Sequence, residues 1–179
     1  MQTLRSIAVA ITIICVTSVA AHAFEPMTAT IRVTSESMYD YVFIGEHLQA
    51  TDGYDNAYDT ISPGNLNADM GQPYISVLIL HPEWKRSQQE LRGDIRSLAK
   101  RHEWEITIIS SLPEGSPLNV ALRKDESTLP LDMKLTLKEN KNGKEHDLRK
   151  SSYMIQAPGS GASTKLLIIA EQPKSGDRP

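Results

Sequence analysis

The chain is poor in cysteine: its 179 residues hold one, Cys15, inside an early apolar run. A framework of internal disulfides is therefore excluded, and the fold has to stand on its own hydrophobic core. Long apolar runs are scarce too. The run at 7–20 (IAVAITIICVTSVA) counts about fourteen residues, against the roughly twenty that a membrane-spanning helix needs. Charge of one sign is also missing, since the net charge is −3 and no basic stripe occurs, so nothing matches the phosphates of a nucleic acid or marks a membrane surface. There is no repeat, no heptad pattern and no low-complexity tract.

What is present begins at the N-terminus. Arg5, the apolar run 7–20 and the triplet Ala21-His22-Ala23 follow the order of a cleavable secretory signal, which predicts removal of residues 1–23 and an exported chain starting at Phe24. Cys15 raises a lipoprotein reading, but the bulky Ile14 stands where lipid processing wants a small residue, so cleavage is preferred. The remaining chain has 18 Lys+Arg and 22 Asp+Glu, a net charge of −4, and no cysteine. Its length of about 156 residues suits one domain, which at that size buries roughly 68–70% of its unfolded surface.

Residues 28–34 (TATIRVT) alternate, with Ala29, Ile31 and Val33 on one side, and this period of two predicts a half-buried strand. Residues 38–44 (MYDYVFI) supply its hairpin partner. Residues 45–72, dense in Asp, Asn, Gly and Pro, predict a loop of unusual length. Strands follow at 74–80, 104–109, 118–122, 133–137, 145–149, 152–156 and 164–170, with a type I′ turn at Asn142-Gly143. The predicted domain runs over 24–171, and the polar residues 172–179 form a disordered tail. Short strands at this spacing predict an all-β sandwich whose core holds Ile31, Val33, Val77, Ile79, Trp104, Ile106, Ile108, Leu135, Leu137, Leu167 and Ile169. Within 84–102, Leu91, Ile95 and Leu98 stand at helical spacing among charged residues, so pattern and propensity alone favour an amphipathic helix, which Gly93 weakens.

Three stretches carry a resemblance: ATDGYDNAYD at 50–59, LRGDIRSL at 91–98 followed by WEITI, and the block 129–155 with its LTL, DLR and SY segments. In this order they resemble the immunoglobulin- or fibronectin-type β-sandwich modules of large secreted bacterial surface proteins. The resemblance implies an antiparallel sandwich and an extended conformation for 91–98. The chain departs from the pattern in reading as a lone module with its own signal, and in having Ala121-Leu122-Arg123 where a Trp-bearing strand is usual.

Four loop residues, Asp52, Asp55, Asn56 and Asp59, offer the oxygen ligands that calcium prefers. Their spacing is not that of an EF-hand, and the favoured reading is an Asp-Gly turn whose carboxylates satisfy loop N–H groups while Tyr54 and Tyr58 pack the loop down. His47, His81, His102 and His146 form no zinc-type pair. No nucleophile elbow or triad spacing occurs, so no catalytic residue is assigned; an enzyme would have to draw its acid and base from loop carboxylates such as Asp52 and Asp59. Trp104 reads as core, and Trp84 as an exposed contact that could join Tyr54 and Tyr58 in stacking on sugar rings. The expected function is a non-catalytic exported structural or interaction subunit, periplasmic or at the cell surface, partnered by another exported protein. The alternatives are a carbohydrate-binding module and, less favoured, an envelope enzyme. No cofactor is expected, calcium at the acidic loop being the one alternative.

Overall fold

The computed structural model describes residues 24–172; the expected signal segment, 1–23, and positions 173–179 of the expected tail lie outside the described residues. The fold is nearly all β. Alternation forms the first hairpin, β1 (Met27–Ser35) and β2 (Met38–Glu46), paired antiparallel from Met27↔Glu46 to Ser35↔Met38. The long loop carries a two-residue strand, β3 (Thr60–Ile61), and a single helical turn, α1 (Leu66–Asp69). Asn65 caps α1, its Oδ1 accepting the N–H groups of Asn67 and Ala68. Then come β4 (Ile75–Leu80), β5 (Glu90–Arg96), β6 (Arg101–Ser110), β7 (Pro117–Leu122), β8 (Lys134–Glu139), β9 (Glu145–Asp147), β10 (Tyr153–Gln156) and β11 (Ser163–Glu171).

All the strands join one mixed sheet that is nearly closed into a barrel, in the order β10-β7-β1-β2-β5-β4-β6-β11-β8-β9, with β3 on β5. Pairing is antiparallel except between β2 and β5, which run parallel over Phe43↔Gly93 to Glu46↔Arg96, and this corrects the wholly antiparallel expectation. A parallel pair needs a long crossover, and residues 47–89 provide it. β5 divides one edge between two neighbours: Glu90 and Leu91 pair with β4, and Gly93 to Arg96 lie along β2. The two ends of the path meet through side chains, the Tyr153 hydroxyl donating to Glu139 Oε1 at 2.7 Å and His146 Nε2 to the Ser151 carbonyl at 2.9 Å.

The interior is apolar and continuous, with Ile31, Val42, Ile44, Val77, Trp104, Ile106, Ile108 and Leu135 fully buried. Ten of the eleven expected core residues are buried, and Leu167 is the exception. In β11 the core face is Leu166, Ile168 and Ala170, while Leu167 is half-buried on the other side. Segment 91–98 is extended through Arg96, as expected. Two local expectations are corrected. The β8–β9 connection is a four-residue loop, 140–143, in which Gly143 has positive φ and Asn142 does not, so it is not a type I′ turn. Gln172, assigned to the tail, is buried: its side chain exchanges hydrogen bonds with the Glu25 backbone and donates to Glu46 Oε2 at 3.2 Å.

Candidate functional site

The acidic loop and the segment after β4 converge on β5. Asp59, which directly precedes β3, is buried and accepts the Asp55 N–H (2.6 Å) and the Ile95 N–H (3.0 Å). Burial raises the Asp59 carboxyl above its usual range, against those two hydrogen bonds. Asp52 Oδ1 accepts the Ser97 hydroxyl (2.6 Å) and N–H (3.2 Å), and the hydroxyl bond is the main reason its acidity is strengthened. Asp55 Oδ1 accepts the Ala57 N–H, and Asn56 Oδ1 the Tyr54 hydroxyl. The expected turn chemistry is present: each of the four proposed calcium ligands already has a donor, and the loop is tied to the C-terminal end of β5. Among the described residues no group of three or more His, Cys, Asp or Glu is arranged to hold a metal.

His81 is the centre of the second part. Its Nδ1 lies 2.9 Å from Glu83 Oε1 and its Nε2 3.2 Å from the buried Asp94 Oδ2, so both ring nitrogens face carboxylates and the protonated ring donates to each. Burial works against the imidazolium, but the hydrogen bonds and charges of Asp94 and Glu83 outweigh it and raise the His81 pKa. Asp94 is lowered despite its burial, because His81 and the Arg96 guanidinium, 2.8 Å away, stabilise the carboxylate. The His81 ring stacks on Trp84 with centroids 3.7 Å apart and planes 5° apart, and Tyr54 meets Trp84 edge-on at 6.1 Å. Trp84 is thus half-buried with one face covered by His81, which corrects its reading as a freely exposed contact. Tyr58 stacks on His47 at 4.7 Å and bonds Gln49, apart from the Tyr54–Trp84 pair.

The sequence reading therefore found Tyr54, Trp84 and the Asp-rich loop but missed what links them: His81, Glu83, Asp94 and Arg96. The available signal was His81-Pro82-Glu83-Trp84 directly after a strand, where a ring two residues from a carboxylate can turn back onto it. It also missed a groove of about 500 Å³ beside β2, whose lining includes Tyr39, Asp40, Asn65, Asn67, Tyr74 and Arg92. Compared with protein-family models, curated proteins and solved structures, the chain finds no match.

Proposed function

We propose that the protein is a non-catalytic exported subunit that acts by structure and contact within an extracellular or envelope assembly. The observation that supports this best is the engagement of its acid–base groups. Asp52 and Asp59 are bonded to backbone and hydroxyl donors of β5, the loop and Ser97, while His81 is fixed between Glu83 and Asp94 beneath Trp84. Groups bound in this way brace the β5 side of the barrel rather than turning toward a substrate. The immunoglobulin- or fibronectin-type reading belongs to the same proposal, supported by Asp94-Ile95-Arg96 lying in β5 and Leu135-Thr136-Leu137 in β8. No helix among the described residues is long and apolar enough to cross a membrane.

The test is turnover of envelope polymers, peptidoglycan and exopolysaccharide, by the purified protein. The proposal expects none above background, and turnover abolished by Asp59→Asn would overturn it.

A second reading, carbohydrate binding, is favoured by one observation: the groove beside β2 combines the Tyr39 ring, 59% exposed, with Asp40, Arg92 and Tyr74. Aromatic walls with a few fixed polar groups suit a sugar. Glycan binding lost in Tyr39→Ala and kept in Trp84→Ala would support this reading, and a blank glycan array would remove it.

A further inference from the structure

The two ends of the described chain meet at one end of the barrel, around a buried carboxylate. Glu46 is the last residue of β2 and shares the inner face of that strand with Val42 and Ile44; it is 2% exposed. Its Oε2 accepts the Gln172 Nε2 at 3.2 Å, and its Oε1 is buried with no hydrogen-bond partner. No Lys, Arg or His among the described residues forms an ion pair with it. His102 favours its charge from farther off, with Nε2 on the Ser97 carbonyl at 2.8 Å. Burial raises the Glu46 carboxyl above its usual range, against His102, the Ala99 N–H and the Gln172 amide. A carboxylate placed in this way lacks a cation.

The start of the described chain lies beside it. Met27 is the β1 partner of Glu46, and before it Glu25 reaches Gln172, which accepts the Glu25 N–H at 3.2 Å and donates to the Glu25 carbonyl at 3.1 Å. One amide nitrogen thus holds both residues, so the Glu25 carbonyl oxygen and the Glu46 Oε2 are at most 6.3 Å apart, the two bonds laid end to end. The Phe24 nitrogen precedes that carbonyl by two residues, about 7 Å at full extension. Phe24 is 37% exposed and stands outside β1, with room to turn.

In the sequence the cleavage triplet Ala21-His22-Ala23 ends directly before Phe24. When a processing peptidase adds water across the Ala23–Phe24 bond, the C–N bond breaks, Ala23 keeps a carboxylate and the proton it releases ends on the new α-amine of Phe24. A neutral peptide N–H is replaced by an ammonium with three donors.

We infer that Glu46 receives the chain's own processed N-terminus: the Phe24 ammonium pairs with the Glu46 carboxylate and ties residues 24–26, β2 and Gln172 together once the leader is removed. The inference rests on the exported reading proposed above and gives export a structural consequence.

The test uses the protein recovered from its source, with its first residue read by mass spectrometry. Its two phenylalanines are Phe24 and Phe43, so isotopic labelling of phenylalanine gives one Cα signal that follows the α-amine in an NMR titration. The pairing raises the amine pKa by one unit or more above the ordinary value of about 7.7–8.0. Glu46→Gln returns it to that range, whereas Glu25→Gln, which removes the carboxylate next in sequence, leaves the rise in place. Acetylating the amine lowers the melting temperature of the wild type by about 5 °C or more, and that of Glu46→Gln by less than half as much. Should Glu46→Gln fail to fold, the wild-type titration and acetylation decide alone. An amine of ordinary pKa, a rise that survives Glu46→Gln, or a melting temperature indifferent to acetylation overturns the inference and leaves the exported reading standing. So does cleavage at another residue. A chain that keeps its leader overturns both.

Discussion

Asp40 and Val77 lie on strands that share no backbone pairing, yet the Asp40 Oδ2 accepts the Val77 N–H at 2.7 Å. Its Oδ1 meets Arg92 Nη1, also at 2.7 Å, so one buried carboxylate joins β2, β4 and β5 where β5 divides between its neighbours. Side-chain acceptance of a strand N–H takes the place of a missing ladder bond.

Replacing Asp40 by Ala leaves the buried Val77 N–H unbonded and the largely buried Arg92 guanidinium with the Tyr41 carbonyl but no carboxylate, and is expected to cost about 3 kcal/mol in denaturant unfolding. Asp40→Asn retains an acceptor for Val77 and should cost less. Equal losses in the two variants would show that the Val77 bond contributes nothing.

Gly93 is required by Phe43. A Cβ at position 93 would stand 2.0 Å from Phe43 Cζ, on the paired residue of the parallel strand. Gly93→Ala is expected to destabilise by about 1–3 kcal/mol through overpacking. In a Phe43→Val background the same substitution should cost much less, and a double-mutant cycle in which the two effects simply add would disprove the contact.

The His81 bridge should appear as a pH dependence. Its pKa is raised in the folded state, so the stabilisation is fully present below the unfolded value of about 6.5 and is lost as pH rises through the folded value. The stability difference between wild type and His81→Gln should be larger at pH 5.5 than at pH 8.5. A difference that grows with pH would contradict the geometry.

For the acidic loop, removing the Asp59 carboxylate leaves the Asp55 and Ile95 N–H groups unbonded, and Asp59→Ala should cost about 1–3 kcal/mol. Chelation is expected to leave the melting temperature unchanged, because the four candidate ligands are already engaged. Calcium at one hundred times its dissociation constant would add about 2.7 kcal/mol, so a clear fall on chelation would restore a metal to the loop.

These residues also show what a linear sequence can and cannot reveal. Alternation located β1 and β6 and their buried faces, because Ile31, Val33, Trp104, Ile106 and Ile108 occupy every second place among polar neighbours. It misplaced the core face of β11, where Leu166, Leu167, Ile168 and Ile169 are apolar on both faces and period two has no phase. In β5 the helical spacing of Leu91, Ile95 and Leu98 is coincidental, and the deciding residue is Gly93, whose missing side chain makes room for Phe43. The Asp-rich loop was legible as turn chemistry; its attachment to Ile95 and Ser97 was not, since those partners lie 36 and 45 residues away. The parallel β2–β5 pair was hidden for the same reason, since it depends on a crossover that leaves no local pattern, and the His81–Asp94 link spans 13 residues around the β4–β5 connection.

The central claim, a subunit that works by contact, is tested most directly by native mass spectrometry of the protein released gently from its source. The account predicts a defined stoichiometric complex with another exported protein. A free monomer that turns over an envelope polymer would contradict it.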